Sequence, residues 1–324
     1  MCAMQSRASD GDLGPQVRPV SLAPRVTEHD ASEWVPLGVE LDAAAMRLAT
    51  AGIANPRADA ERLAAHALGV QPQDRTATPL ASATAVRRLW ALVDRRAARV
   101  PLEHLVGAAS FGRLELLVGP GVYVPQPETE AVVQAVMAHL IDLRDGEDAV
   151  VVDLCTGSGT IAMSVADQAP FAVVHAVEAD PAALGWAERN RDRLELPVRL
   201  HLGRAEEALR DLDGAVDVVV SNPPYVAEHE LAGVDPEVRD HDPRLALVGG
   251  SDGLAMIRVV EQAAWRLLRP GGLVVVEHSD RQGRSAPEVF APRWRDVADH
   301  RDQGDRDRYV TAVRPGARRI SSVA

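Results

Sequence analysis

The chain of 324 residues has no lysine, two cysteines, and aromatic residues at 3% of the total. The lack of lysine excludes any reaction that proceeds through a lysine Schiff base. Cys2 lies at the terminus and Cys155 within a motif, so we expect no structural disulfide and a reducing compartment. Residues 1–34 contain no apolar segment typical of a signal peptide, and no apolar run reaches the length of a membrane span. These absences predict a cytoplasmic protein without a membrane-spanning segment.

Basic residues are outnumbered by acidic ones. Lysine and arginine together number 35, all of them arginine, against 47 acidic residues, which gives a net charge of -12 and a pI near 5.3. Phosphate backbones repel such a chain on average, so we expect no direct binding to nucleic acid. Hydrophobic residues form 46% of the chain, enough for a buried core. The length predicts a large domain beside a smaller one, and we expect a monomer.

The N-terminal part predicts a tail followed by a small helical domain. Residues 1–36 are rich in Ser, Asp, Pro and Arg without periodicity, which is typical of a disordered tail. Apolar residues then recur at helical spacing over residues 37–100, and Ser82 or Thr84 is placed to cap the last of these helices.

A linker is predicted between this region and the rest of the chain. Residues 101–125 contain two short apolar runs, Leu102–Val106 and Phe111–Val118, which predict a β-hairpin. A helix is expected over Glu130–Leu143, with Thr129 as its N-terminal cap.

Residues 126–315 alternate strands with helices and predict a catalytic domain, followed by a second disordered tail at 316–324. Seven strands are predicted at or near residues 150–154, 173–178, 198–202, 216–221, 272–277, 294–298 and 309–313. Continuous valine-rich runs indicate strands buried on both faces and therefore a parallel sheet covered by helices. We predict an α/β fold with a Rossmann-like, doubly wound, seven-stranded and mostly parallel sheet, together with the helical domain and the linking hairpin.

A glycine-rich turn follows the first strand of that sheet. Its sequence is Cys155-Thr156-Gly157-Ser158-Gly159. Glycines allow a ligand to approach the backbone closely, and the start of the next helix offers free N–H groups. Glu178 ends the second strand, where a carboxylate can accept hydrogen bonds from both ribose hydroxyls of a nucleoside. Because Gly157 to Ala162 also satisfies the pattern G-x-G-x-x-G/A, the turn leaves both NAD and S-adenosylmethionine open as cofactors.

A second motif, Asn222-Pro223-Pro224-Tyr225, follows the fourth strand. Ligands of doubly wound sheets bind at the carboxyl ends of the strands, and the first and fourth strands are neighbours, so this loop faces the glycine turn. Its prolines stiffen the backbone and remove two N–H donors. The Asn222 side-chain oxygen and the Pro223 carbonyl oxygen then serve as acceptors for a planar –NH₂ group, on which Tyr225 stacks.

Such a loop suits a poor nucleophile. The lone pair of an amide nitrogen is delocalised into its carbonyl, and two acceptors held on its hydrogens favour a more tetrahedral nitrogen that is directed at a sulfonium methyl. No dedicated base is required, because the proton leaves after transfer. The motif therefore predicts N-methylation, with Asn222, Pro223 and Tyr225 as catalytic residues.

Together these motifs resemble the class I methyltransferases that modify exocyclic or amide nitrogens, and within that group the release factor glutamine methyltransferases. The resemblance covers about residues 40–313. It is carried by Pro125–Glu130, the glycine turn, Asn222–Val226 and the stretch Pro236–Leu254, which contains Asp242-Pro243, Gly249-Gly250 and Gly253-Leu254.

The resemblance implies methyl transfer from S-adenosylmethionine, leaving S-adenosylhomocysteine, to the glutamine of the Gly-Gly-Gln motif in peptide chain release factors. It implies that the helical domain helps to bind this protein substrate. The implied cofactor contacts are Cys155, Thr156, Gly157, Ser158, Gly159, Glu178, Ala205 and Asn222. The implied contacts to the substrate glutamine are Asn222, Pro223, Pro224 and Tyr225.

Some positions depart from the family pattern. Gln126 stands where the family usually has arginine, Cys155 replaces a glycine, and Arg204 begins a segment in which an acid or an aromatic residue often meets the adenine. His278 follows an acidic residue at the end of the fifth strand, where the usual ending is hydrophobic and then glycine. We expect His278 and also His241 to be structural rather than catalytic.

Other functions remain open from sequence. The same chemistry serves a ribosomal-protein glutamine or an adenine of nucleic acid, although the acidic charge disfavours the latter. An NAD-dependent oxidoreductase would leave the Asn222 motif unexplained, and a non-catalytic binding module would not need both motifs. Acidic residues over 228–242 lack the spacing of metal ligands, so we expect a loop that covers the site and no metal.

Overall fold

The structure, a computed structural model, describes residues 34–71, 79–143 and 149–316. Most of both predicted tails lies outside these ranges. Within them, Trp34–Pro36 forms strand β1, which pairs antiparallel with β2, Leu80–Ser82. The tail prediction is wrong for these three residues, because Val35 lies opposite the buried Ala81 and continues the fold of the helical domain.

Three helices form the core of the N-terminal region: α1, Leu37–Thr50; α2, Pro56–Leu68; and α3, Ala83–Ala97. Their apolar faces meet at Leu41, Leu48 and Leu63, all of which are buried. The predicted cap of α3 is confirmed at Ser82, whose hydroxyl accepts a hydrogen bond from the Ala85 amide at 3.2 Å. Aliphatic packing therefore holds this region together.

The linker differs from the prediction in its first half. Leu102–Val106 is a helix, α4, and not a strand. Leu102 and Leu105 are three residues apart and both buried, a spacing that suits a single helical turn, and Gly107 ends it with a φ of 80°. The hairpin is shorter than expected and consists of β3, Ala108–Phe111, and β4, Leu114–Leu117.

The large domain has seven strands: β5, Val150–Leu154; β6, Val173–Glu178; β7, Arg199–Leu202; β8, Val216–Ser221; β9, Leu268–Glu277; β10, Arg295–Arg301; and β11, Asp307–Val313. The helices between and before them are α5, Glu130–Asp142; α6, Thr160–Gln168; α7, Pro181–Leu194; α8, Pro236–His241; α9, Arg244–Leu247; α10, Ala255–Leu267; and α11, Ser285–Phe290.

The strand order is β10-β11-β9-β8-β5-β6-β7. Strands β5 to β9 pair in parallel, while β11 runs antiparallel to both β9 and β10. Two apolar clusters cover the opposite faces of the sheet, so the predicted α/β fold is confirmed. Neighbouring β5 and β8 bring the glycine turn and the Asn222 motif to the same edge.

Thr129 does not cap α5 as predicted. Residues Pro127–Thr129 form a 3-10 turn before the helix, and the Thr129 side chain makes no cap hydrogen bond. It is 3% exposed and points toward the ends of β8 and β9. The resulting contacts belong to the site described below.

A cover segment, residues 228–248, lies over the carboxyl edge of the sheet and includes α8 and α9. The helical region holds it through Arg96, whose guanidinium pairs with Glu237 of α8 at 2.9 Å and with Asp59 of α2 at 2.7 Å. Arg99 adds a contact to Asp235 at 3.2 Å. In the part of the chain that is described, no helix has the length and hydropathy needed to cross a membrane.

Candidate active site

A cavity of about 450 Å³ opens at the carboxyl ends of β5, β6 and β8, beneath the cover segment. This volume falls within the roughly 300–1,000 Å³ typical of small-molecule sites. Most of the predicted site residues line it, namely Cys155, Gly157, Ser158, Glu178, Ala205, Asn222, Pro223, Pro224 and Tyr225. Thr156 and Gly159 do not line it, and their contacts lie behind the turn.

The glycine turn is bent by three residues with positive φ: Cys155 at 60°, Gly157 at 58° and Gly159 at 84°. A side chain at Gly159 would stand 3.0 Å from the Met163 side chain, so close packing favours glycine there. The Thr156 amide donates to the Val177 carbonyl at 3.1 Å, which ties the turn to the end of β6. Thr156 and Gly159 thus shape the cavity wall from behind.

Asp153 is a buried acid beneath this turn. Its Oδ2 accepts hydrogen bonds from the Thr156 hydroxyl at 2.5 Å and the Ala162 amide at 3.2 Å. Its Oδ1 is buried and has no hydrogen-bond partner among the described residues. Burial raises the pKa of Asp153 to about 7, although both hydrogen bonds oppose the shift. The residue joins β5 to the start of α6.

Asn190, which the sequence did not single out, fixes the turn from the other side. This fully buried residue of α7 accepts from the Leu117 amide at 2.6 Å. Its Nδ2 donates to the carbonyl oxygens of Leu117 at 3.0 Å and Ser158 at 2.9 Å. The Asn190 side chain therefore connects hairpin strand β4 to the glycine turn. No sequence motif predicts a contact between residues so far apart in the chain.

The Glu178 carboxylate is held at the mouth of the cavity by backbone amides. One oxygen accepts from the Gly157 amide at 2.8 Å, and the other accepts from Ala179 at 2.8 Å and Asp180 at 2.9 Å. The oxygen that accepts from Gly157 has a further lone pair for a ligand hydroxyl, while the other oxygen already accepts two hydrogen bonds. This geometry suits the role that the sequence predicts for Glu178.

The charges around the cavity distinguish between the two cofactors that the turn leaves open. Four acids and one arginine line it: Glu128, Glu178, Asp180, Glu206 and Arg204. Arg204 is paired with Glu206 at 2.6 Å, so its charge is already compensated. A dinucleotide would add a doubly negative pyrophosphate to this lining, whereas S-adenosylmethionine brings a sulfonium and an ammonium. The lining therefore fits S-adenosylmethionine and disfavours NAD.

The Asn222 motif is supported by glycines of the Pro236–Leu254 stretch. A side chain on Gly249 would lie 2.6 Å from the Pro224 carbonyl oxygen and 2.9 Å from the Tyr225 Cα. One on Gly253 would overlap the Tyr225 carbonyl oxygen. The Val226 amide also donates to the Leu247 carbonyl at 2.8 Å. Close backbone packing on the motif explains why this distant stretch is glycine-rich.

Asn222 reaches the cavity at the end of β8. Its Nδ2 donates to the Thr129 hydroxyl at 3.3 Å, so its Oδ1 is left as an acceptor. Both residues line the cavity, together with Pro223 and Tyr225. The structure therefore brings together the groups that the sequence predicts for binding a planar –NH₂.

Beneath this motif lies Glu277, a fully buried acid at the end of β9. The Tyr225 hydroxyl donates to its Oε1 at 3.3 Å. Burial raises the pKa of Glu277 to about 7, while the Thr129 hydroxyl and the Arg308 guanidinium oppose the shift. Burial also raises the pKa values of Tyr225 and Tyr123, so both phenols stay protonated.

The departures from the family pattern have local explanations. Gln126 lines the cavity, and its Nε2 donates to the Val124 carbonyl at 3.0 Å. His278 is fully buried and contacts Asp299 at 2.8 Å, away from the cavity lining, in line with a structural role.

Comparison with known proteins agrees with this site. The PrmC N-terminal domain family matches residues 41–107, and the methyltransferase small domain family matches residues 115–235. A release factor glutamine methyltransferase of Streptomyces coelicolor is 50% identical over 275 residues, which cover 84% of this chain and 96% of that protein. The enzyme of the same name from Mycolicibacterium smegmatis is 46% identical over 280 residues, 86% of this chain and 98% of that protein.

The name of a further relative gives a small molecule as its substrate. The 4-amino-L-phenylalanine/4-methylamino-L-phenylalanine methyltransferase of Streptomyces pristinaespiralis is 43% identical over 264 residues, 80% of this chain and 89% of that protein. The two relatives above share more identity over almost their whole length. On that basis, the chain belongs to the release factor glutamine methyltransferase family.

Proposed function

We propose that this protein methylates the side-chain amide nitrogen of the glutamine in the Gly-Gly-Gln motif of peptide chain release factors. The orientation of Asn222 carries the proposal, since its donated hydrogen bond to Thr129 leaves an acceptor oxygen for a substrate –NH₂. A release-factor substrate would place the reaction in the cytoplasm, where translation takes place.

The methyl donor is S-adenosylmethionine, which supplies an electrophilic methyl group on a positively charged sulfur. We assign Glu178 to the ribose hydroxyls, because three backbone amides already orient its carboxylate toward the cavity mouth. Cys155, Gly157, Ser158 and Ala205 also line the cavity. Thr156, which the resemblance implies as a cofactor contact, does not line the cavity and supports the turn through its hydrogen bond to Asp153.

The substrate amide would lie against the Asn222 motif. The Asn222 Oδ1 and the Pro223 carbonyl oxygen would accept its two hydrogens, and Tyr225 would supply a flat apolar face. Polar acceptors in a site shielded from water favour the reacting form of the nitrogen more strongly than water does. The transferred methyl replaces a proton, which leaves the nitrogen afterward.

The cover segment gives the entrance an apolar rim. Val234, Val238, Pro243 and Leu245 line the cavity from above, and Leu245 is 63% exposed. A glutamine on a narrow glycine-rich loop would pass between such side chains with its amide leading. The neighbouring helical domain, which contacts α8 through Arg96, would contact the rest of the release factor.

Transfer of label from tritiated S-adenosylmethionine to purified release factors tests this function. We expect label in factors with an intact Gly-Gly-Gln motif and none when its glutamine is replaced. Equal labelling of both forms would contradict the proposal. Thermal unfolding with S-adenosylhomocysteine or NAD tests the cofactor separately, and we expect only the first to raise the midpoint.

A second candidate substrate is a free arylamine. It is favoured by the 43% identity to the aminophenylalanine enzyme and by a motif that accepts any planar –NH₂. The same labelling assay with 4-amino-L-phenylalanine in place of the release factor decides between the two. Ribosomal protein and adenine-containing nucleic acid serve as further acceptors in that assay, and we expect the release factor to be labelled fastest.

A further inference from the structure

The Asn222 and Tyr225 side chains of the motif lie close to one buried acid, Glu277. Glu277 is fully buried at the end of β9, next to the strand that carries the motif. The Tyr225 hydroxyl donates to its Oε1 at 3.3 Å. The other carboxyl oxygen of Glu277, Oε2, is buried and has no hydrogen-bond partner among the described residues. The Thr129 hydroxyl, which accepts from the Asn222 Nδ2 at 3.3 Å, lies near enough to this carboxyl to lower its pKa, and its hydrogen is available to Oε2. Tyr225 therefore contacts Glu277 directly, and Asn222 is connected to it through the Thr129 hydroxyl.

Hydrogen-bond polarity makes this arrangement directional. An ionised carboxylate only accepts, while a hydroxyl donates a single hydrogen. When Glu277 is ionised, its unpartnered Oε2 can only accept, so Thr129 would direct its hydrogen to this oxygen and offer its own oxygen lone pair to Asn222. Asn222 must then present Nδ2 to Thr129, which points Oδ1 into the cavity. A neutral group at position 277 removes this requirement.

We propose that Glu277, acting through Thr129, is a positioning residue that sets the amide orientation of Asn222 so that its oxygen faces the substrate –NH₂. The inference rests on the proposed function for its kinetic consequences only. The orientation of the Asn222 side-chain amide can be measured in the absence of substrate. Glu277 itself does not line the cavity, so it acts without touching the substrate.

The surroundings of Glu277 decide how much of it is ionised. Burial raises its pKa to about 7, while Thr129, Arg308 and Tyr225 favour the charged form and Glu128 disfavours it. The titratable or charged groups that face it are Arg308 from β11, Glu128 from the 3-10 turn, and the Tyr225 and Tyr123 hydroxyls from the flanking loops. Because the acceptor orientation needs the ionised acid, we expect turnover to fall as the pH drops through about 7 and to level off above it.

Selective ¹⁵N labelling of asparagine tests the orientation directly. The chain has three asparagines, Asn55, Asn190 and Asn222, so three side-chain amide pairs are expected. In Thr129→Val and in Glu277→Gln, we expect the Asn222 pair to shift while the Asn55 and Asn190 pairs stay in place. Thr129→Ser keeps the hydroxyl and should leave all three pairs unchanged. An unmoved Asn222 pair in both Thr129→Val and Glu277→Gln would overturn the proposal.

Kinetics on the same variants add the functional consequence. We expect Thr129→Val to lower kcat by about tenfold, the effect of one hydrogen bond, with unchanged affinity for S-adenosylhomocysteine and with recovery in Thr129→Ser. Glu277→Gln should lower kcat similarly and abolish the loss of turnover below pH 7. Wild-type kcat in both Thr129→Val and Glu277→Gln would contradict the role in catalysis. If the wild-type enzyme fails to label release factors while the Asn222 pair still shifts in the variants, the proposed function fails and the positioning inference stands.

Discussion

Cys155 occupies a left-handed backbone conformation, with a φ of 60°, at the first position of the glycine turn. Such a conformation costs a residue with a side chain about 1 kcal/mol relative to glycine. Burial raises the pKa of its thiol to about 12, so it stays neutral and is poorly suited to be a nucleophile. The residue is therefore a packing element of the cofactor wall.

We expect Cys155→Gly to change the free energy of unfolding by less than about 1 kcal/mol, because relief at positive φ offsets the lost contacts. Cys155→Val should lower it by about 1–3 kcal/mol, since a β-branched residue strongly disfavours this region. Urea unfolding of the two variants measures the difference. A valine variant as stable as the glycine variant would contradict the strained backbone.

Individual site residues differ in how far the sequence predicts them. The sequence predicts Glu178 and Asn222 because Glu178 ends β6 and Asn222 directly follows β8, at the same edge of the sheet. It does not predict Thr129 and Glu277, because Thr129 meets a partner 93 positions away and Glu277 one 52 positions away. A local pattern contains no information on such contacts, so Thr129 was expected to cap a helix that begins beside it.

Among the secondary-structure elements, the buried strands were the most predictable. The bounds of β5, β6 and β8 agree with the prediction. Valine-rich runs bounded by turn residues favour strands that are buried in a sheet covered by helices on both faces. Leu102–Val106 was predicted as a strand and is a helix. Five residues are too few for hydrophobic periodicity to distinguish a helix from a strand. The burial of both Leu102 and Leu105 favours the helix.

The contact between the glycine-rich stretch and the Asn222 motif can be tested by adding one methyl group. Gly253 has a φ of 73°, and a side chain there would overlap the Tyr225 carbonyl oxygen. We expect Gly253→Ala to lower the free energy of unfolding by about 2 kcal/mol and to reduce methyl transfer. Gly185→Ala, in α7 with open space around it, is the matched control and should stabilise by about 0.5–1 kcal/mol. Equal effects at both positions would refute close packing on the motif.

In the whole molecule, Arg96 joins the helical domain to the cover segment. It is 6% exposed and pairs with Asp59 at 2.7 Å and Glu237 at 2.9 Å. Arg96→Met would leave the buried Asp59 without its partner, and we expect a loss of about 3 kcal/mol in thermal or urea unfolding. Arg57→Met breaks two surface pairs, with Asp42 and with Glu61, and should cost under about 1 kcal/mol. Similar losses in the two variants would show that the Arg96 contacts add no special stability.

Three buried acids give the molecule an unusual pH dependence. Burial raises the pKa values of Asp153, Asp242 and Glu277 to about 7. At these three groups the folded state binds more protons than the unfolded state between about pH 4 and pH 7, so their contribution to stability falls as the pH rises through that window. Burial lowers the pKa values of six histidines, which act in the opposite direction over the same range, so the contribution of one acid is measured as a difference between wild type and variant in urea unfolding at pH 5.5 and pH 8. On going from pH 5.5 to pH 8, we expect Asp242→Asn to lose less stability than the wild type, because the raised pKa of Asp242 no longer contributes; the same change in both proteins would contradict the assignment of Asp242.

One measurement tests the central claim most directly: methyl transfer to the Gly-Gly-Gln glutamine by Asn222→Ala, with the modified peptide located by mass spectrometry. We expect the wild-type enzyme to place one methyl group on the glutamine amide and the variant to place none, while calorimetry shows nearly unchanged binding of S-adenosylhomocysteine. Wild-type turnover by Asn222→Ala would contradict the role of this side chain as the acceptor that holds the substrate amide.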